Sequence, residues 1–197
     1  MTVIRSYKMT HDSGFAPNPY NGCLTLATCK SGIRRCHQVG EWLAGFTSKT
    51  LNNDKPGQER LIYLAKVSQK MEIKDYYEKY PNKRPGQCPK ADNIYKWENG
   101  KYHQLKNPFH GDDSIDDDVA GKNVLIADEF YYFGKEVLTI PENIRNRNDI
   151  NIPKVQAAYG VFTKGQAADD FIAWVKSQAA ILYPGKKGKF AEPHDPK

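Results

Sequence analysis

Apolar residues fall along this chain in short separated runs, most of them alternating with smaller or polar residues in the manner of strands. Val3 to Met9 reads as an opening strand, and Cys23 to Cys29 as a second, with Leu24, Leu26 and Thr28 alternating with smaller neighbours. Gly40 to Phe46 gives a short third strand, and Arg60 to Val67, RLIYLAKV, is the strongest strand signal in the sequence. The period then changes. Met71, Ile73, Tyr76, Tyr77 and Tyr80 are spaced as in a short helix that begins near Lys74 and Asp75 and is ended by Pro81.

Further on, Ile94 to Trp97 predicts one arm of a hairpin whose turn is Glu98-Asn99-Gly100-Lys101, with Tyr102 a cross-strand neighbour. NVLIA at 123–127 is another strong strand, and Tyr131 to Phe133 a shorter one. Ile140 to Val155, enclosed by Pro141 and Pro153, reads as an exposed connection. The last element is a helix with Asp169 and Asp170 in its first turn and an apolar stripe from Phe171 to Leu182, stopped by Pro184-Gly185. Several short strands and few helices predict an α+β fold: a curved mixed or antiparallel sheet, with a partly closed barrel among its forms, flanked by helices that include a C-terminal one. The expected organisation is one domain over 1–184 and a flexible basic tail over 185–197.

Composition narrows the class of partner. The 197 residues carry a formal charge of +6, compatible with a polyanion, although Lys186, Lys187 and Lys189 place part of that excess in the tail. No apolar run approaches the roughly 20 residues that span a bilayer, so no membrane partner is expected, and the expected location is cytoplasmic. Four cysteines without paired spacing are expected as reduced thiols.

Candidate chemistry concentrates between Asp12 and Lys49. Turn formers there, Ser13-Gly14 and Ala16-Pro17-Asn18-Pro19, shape a loop, and Lys30, Arg34 and Arg35 follow. Guanidinium forks and ammonium groups converging on a pocket would hold phosphate or carboxylate. The expected ligand-binding residues are Ser13, Asn18, Lys30, Arg34, Arg35, Lys49, Asp92 and Asn93, the Asp and Asn side chains being able to read a base edge. Asp92-Asn93 equally suits an Asx-turn.

Asp12 and His110 are the candidate acid and base, His110 lying beside the acidic run that includes Asp112 and Asp113. That run could hold Mg²⁺, but it lacks an EF-hand's ligand order, and a solvated acidic loop is the simpler reading. Cys29 ahead of Lys30 could be an activated thiol, although a lone cysteine closing an apolar strand is more often core. Cys29, Cys36 and His37, with Cys23, lack the short spacing of a zinc site, so neither metal nor cofactor is expected.

Taken in order, DSGFAPNPYNGCLTLATCKSGIRR, VGEWLAGFTSK, RLIYLAKV, a tyrosine-rich helix, KRPG, DNIY and VLIADEFYYFG resemble the nucleotide modification associated domain 2 family from about Tyr7 to Gly134. Glu41 stands where the family pattern suggests Asp before the tryptophan. The resemblance implies a bacterial or phage system linked to modified nucleotides or DNA bases. The first expectation is therefore a protein that binds a nucleotide or modified base, DNA included, in a pocket built by 12–49. An enzyme using Asp12 and His110 on such a ligand is the alternative, and a basic protein-interaction or inhibitory module is a third.

Overall fold

The structure, a computed structural model, describes residues 1–154 and 159–195. In chain order the described elements are β1 (Val3–Lys8), β2 (Leu24–Leu26), α1 (Ser31–Cys36), β3 (Trp42–Phe46), α2 (Lys49–Asn52), β4 (Leu61–Lys66), β5 (Gln69–Glu72) and α3 (Ile73–Lys79). They continue with β6 (Tyr95–Glu98), β7 (Lys101–Gln104), α4 (Ile115–Val119), β8 (Asn123–Ala127) and β9 (Glu129–Tyr132). The last are α5 (Glu142–Arg145), β10 (Tyr159–Lys164), α6 (Gln166–Leu182) and β11 (Gly188–Lys189).

Six strands form the main sheet in the order β10-β1-β3-β4-β9-β11, mixed because β1 runs parallel to β3 and β11 parallel to β9. Its outer strands do not pair with each other, so the α+β expectation holds without closure into a barrel. A second, antiparallel sheet, β2-β8-β5, packs against the first, and β6 with β7 makes the expected hairpin, in which Trp97 faces Tyr102.

Three apolar layers hold these parts together. α6 lays Phe171, Ile172 and Val175 on Ile4, Trp42, Phe46 and Leu64 of the main sheet. Each such side chain buried contributes on the order of 1.5–3 kcal/mol. The opposite face of the main sheet, with Tyr7, Leu43, Tyr63 and Tyr132, meets Leu24, Leu26 and Leu125 of the small sheet. Beyond it, Val124 and Ile126 turn to Ile73, Tyr76, Ile94 and Tyr95. NVLIA is thus apolar at successive positions because β8 is covered on both faces.

Several short elements were not anticipated. Gln69–Glu72 forms an edge strand where the sequence pattern gave Met71 to the helix, and α5 lies within the expected connection whose final residue, Val155, is outside the described residues. β10, from the stretch after Val155, pairs with β1. The segment expected as a tail carries β11, and Phe190 packs on Tyr183 at 4.6 Å while Asp195 N–H donates to Asp12 O at 2.9 Å. Pro196 and Lys197 are outside the described residues. Glu41 is held by Arg5 in a two-bonded fork at 2.6 and 2.9 Å, which keeps a carboxylate just ahead of β3.

Candidate active site

The connection from β2 to α1 is where the chain departs most from easy backbone geometry. Cys29 and Lys30 both adopt left-handed conformations, at φ 53° and 41°, costly for residues with a Cβ. Two hydrogen bonds fix Cys29 there: its N–H donates to Asp118 Oδ1 at 2.5 Å, and its carbonyl accepts from Arg34 Nε at 2.7 Å. This turn lifts the Cys29 side chain out of the apolar stripe of CLTLATC and onto a cavity wall.

His110 reaches the same place from the segment after β7. Asn107 Oδ1 accepts its N–H at 2.7 Å, and Gln104 Nε2 donates to its carbonyl at 2.9 Å, so the loop is braced on both sides of the imidazole. Phe15 closes on the ring edge-on at 4.9 Å between centroids. His110 Nε2 lies 3.2 Å from Cys29 Sγ, and Nδ1 lies 2.7 Å from Asp118 Oδ2. Asp118, buried in α4, also accepts from the Tyr95 hydroxyl at 2.6 Å. A cysteine, a histidine and an aspartate therefore form one hydrogen-bonded chain, the arrangement in which a base activates a thiol and a carboxylate orients the base.

The electrostatics fit that order. Hydrogen bonding to Asp118 first, and to Cys29 second, raises the His110 imidazole from its ordinary value to about 10, against burial. Burial pushes Asp118 upward, but the hydrogen bonds from His110, Tyr95 and the Cys29 N–H outweigh it and hold the carboxyl below its usual range. His110 is thus an imidazolium at neutral pH, with Nε2–H directed at sulfur.

Arg34 underpins the assembly from inside. It is wholly buried, and its guanidinium donates to the carbonyls of Cys29, of Asn123 at 3.0 Å and of Asp118 at 2.5 Å. Gly121 completes the fit, since a Cβ there would overlap the guanidinium. The guanidinium ties the Cys29 turn to the helix that carries Asp118.

Cys29, His110 and Asp118 also offer three metal-ligand atoms within 4.8 Å of one another. The directions argue for an acid–base chain instead. An ion bound between Sγ and Nε2 would leave Asp118 on the opposite ring nitrogen, and its oxygens already accept three hydrogen bonds.

Above this chain opens a cavity of about 710 Å³. Lys30 and Arg35, both exposed, line it with Ser31, and so do Asp113, Ser114 and Asp117. A second cavity of about 640 Å³ also reaches Cys29 and His110, and Ser13 lies on its wall.

The structure brings three of the expected site residues, His110, Lys30 and Arg35, to the first cavity. Asp12 is elsewhere: buried, it accepts from Tyr132 Oη at 2.5 Å and pairs with His194 Nδ1 at 2.9 Å. Arg34 faces carbonyls, not the cavity. Asn18 is buried, bridging to Thr25 and accepting from the buried Lys83 ammonium at 2.9 Å. Asp92 accepts from Thr25 and Tyr76 hydroxyls at 2.6 and 2.8 Å, while Asn93 donates to Tyr76 and Tyr80 carbonyls and so closes the end of α3. Lys49 opens α2, exposed, and lines neither cavity.

Sequence reasoning held Cys29 and His110 apart and paired His110 with the start of the acidic run. Asp118, Tyr95 and Arg34 complete the site. The local sign is that Asp118 closes the acidic run directly before Val119 and Ala120, where a buried carboxylate needs partners.

The family described as nucleotide modification associated domain 2 matches residues 1–195, nearly the whole chain. The match extends past Gly134 through the C-terminal helix. No curated protein and no solved structure matches the chain.

Proposed function

Because the chain belongs to the nucleotide modification associated domain 2 family, whose name ties it to nucleotide modification, we propose that it is an enzyme acting on a nucleotide or modified base through a Cys29 thiolate. The carrying observation is the Cys29–His110–Asp118 chain, with contacts of 3.2 and 2.7 Å, at the floor of a cavity with Lys30 and Arg35 on its wall.

The reaction class that suits these groups is acyl transfer. Cys29 Sγ attacks an acyl carbon borne on a base nitrogen, forming the S–C bond. His110 Nε2–H then protonates the departing nitrogen as the C–N bond breaks. Water attacks the thioester and passes a proton to Nε2, and the S–C bond breaks to release the acid and restore the thiolate. Asp118 holds the ring in the tautomer that both proton transfers need. The Cys29 N–H is taken by Asp118, so other donors on the wall, Lys30 and Ser31 among them, face the developing oxyanion.

Site-resolved alkylation tests the nucleophile. At pH 6, iodoacetamide should modify Cys29 faster than Cys36, although Cys36 is the more exposed thiol. Equal or slower modification of Cys29 would remove the covalent mechanism.

A binding role without chemistry has its own support in the exposed Lys30 and Arg35 beside the cavity. In that case a nucleotide raises the unfolding midpoint of wild-type protein and of Cys29→Ser alike, with no adduct at Cys29 by mass spectrometry. Under either role, Lys30→Ala/Arg35→Ala weakens nucleotide binding and flattens its salt dependence.

A further inference from the structure

Cys29 and His110 both line two neighbouring chambers. The 710 Å³ chamber presents the cations Lys30 and Arg35 together with Asp113 and Asp117. The 640 Å³ chamber presents Phe15, Ala16, Pro108 and Phe109, with the polar residues His11, Ser13 and Asp195 also lining it. Phe15 and Phe109 are stacked, 4.7 Å between centroids and 22° between planes, so this wall is rigid and apolar. A reacting atom beside Cys29 Sγ has one neighbouring space with cations, Lys30 and Arg35, and another with an apolar aromatic wall.

The geometry points to a substrate that straddles the sulfur: its planar base lies in the Phe15–Phe109 chamber and its phosphate lies against Lys30 and Arg35. This inference rests on the proposed nucleotide-directed role of Cys29 and specifies it, since a free base, a sugar phosphate or a peptide would each fill only one side. Pockets of this kind combine an apolar wall with a few placed polar groups that fix orientation, and Ser13, with His11 and Asp195, supplies such groups for a base edge. The two chambers also explain why the 12–49 segment carries both a proline-rich loop and a basic turn: the loop supplies Phe15 and Ala16, the turn supplies Lys30 and Arg35, and Cys29 lies between.

The test reads occupancy of Cys29 through protection from iodoacetamide, using three probes at equal concentration: nucleoside 5′-monophosphates, the parent nucleosides, and ribose 5-phosphate. At least one monophosphate should slow alkylation about tenfold more than either the nucleoside or ribose 5-phosphate alone. Ser13→Trp, which fills the apolar chamber, should reduce monophosphate protection to the ribose 5-phosphate level. Phe109→Asp, checked for cooperative unfolding, provides a second variant with the same expectation. Arg35→Glu should reduce protection to the nucleoside level instead. Monophosphates that protect no better than ribose 5-phosphate, or unchanged protection in both Ser13→Trp and Phe109→Asp, would overturn the two-chamber assignment. Failure of the nucleophile itself shows up separately, as slow alkylation of Cys29 in the protein without any probe.

Discussion

Two clusters in this molecule are built from the same three side chains, yet their surroundings differ. In one, His110 Nδ1 meets Asp118, which also accepts from Tyr95; in the other, His194 Nδ1 meets Asp12, which also accepts from Tyr132. Both carboxylates are buried, and both histidines are largely enclosed. The difference lies at the second ring nitrogen. His110 Nε2 faces a sulfur at the junction of two cavities, whereas His194 Nε2 is buried without a hydrogen-bond partner. A histidine–aspartate couple alone is therefore a fastener. It becomes a candidate site when a nucleophile and a space for its target are added.

The largest expected effect separates the clusters by reactivity. His110→Ala should slow iodoacetamide modification of Cys29 at pH 6 by about 100-fold, while His194→Ala leaves it unchanged; similar losses in the two variants would dissolve the contrast. Next is the buried support that only the first cluster has. Arg34→Met leaves three carbonyls without their cation and should cost roughly 3–5 kcal/mol, lowering the thermal midpoint by about 6–20 °C in calorimetry.

A third experiment sharpens the comparison through pH. His110 is raised from 6.5 to about 10, so its bond to Asp118 contributes fully below pH 6.5 and is lost as pH rises toward 10. Asp118 is lowered from 3.8, so its share is present above that value and lost as pH falls below it. The stability deficit of Asp118→Asn, about 1.5–3 kcal/mol, should therefore be greatest between roughly pH 4 and 6.5 and shrink by pH 10. Urea titrations across that range would show it, and a deficit independent of pH would contradict the charged pair. The smallest effect belongs to the fastener: His194→Ala should cost about 1 kcal/mol, because Asp12 keeps the Tyr132 hydroxyl.

What the sequence revealed follows from what is local in it. RLIYLAKV, NVLIA and the 166–182 helix are long enough and apolar enough for their own pattern to show them. SGIRRC is six residues with only Ile33 and Arg34 buried, too short for a helical period, and its Arg34 is held by the carbonyl of nearby Cys29 and by those of Asp118 and Asn123 from distant segments. Of the site, Cys29, Lys30, Arg35 and His110 were each visible as candidates. Their union was not, because Cys29 and His110 are 81 positions apart and the strand-closing cysteine looked like core. Arg34 and Arg35 are adjacent and chemically alike, yet one is sealed inside and the other is on the cavity wall, a distinction that only the turn at Cys29 and Lys30 creates.

The main sheet also has a temporal consequence. Its two margins, β10 and β11, come later in the sequence than the strands they cover, β1 and β9. While a nascent chain has emerged only through Phe133, the sides of β1 and β9 that those strands will occupy present unpaired amides and carbonyls to whatever is near. During synthesis such a chain is open to chaperones and to intermolecular strand pairing, and that exposure ends only when β10 and β11 have themselves emerged.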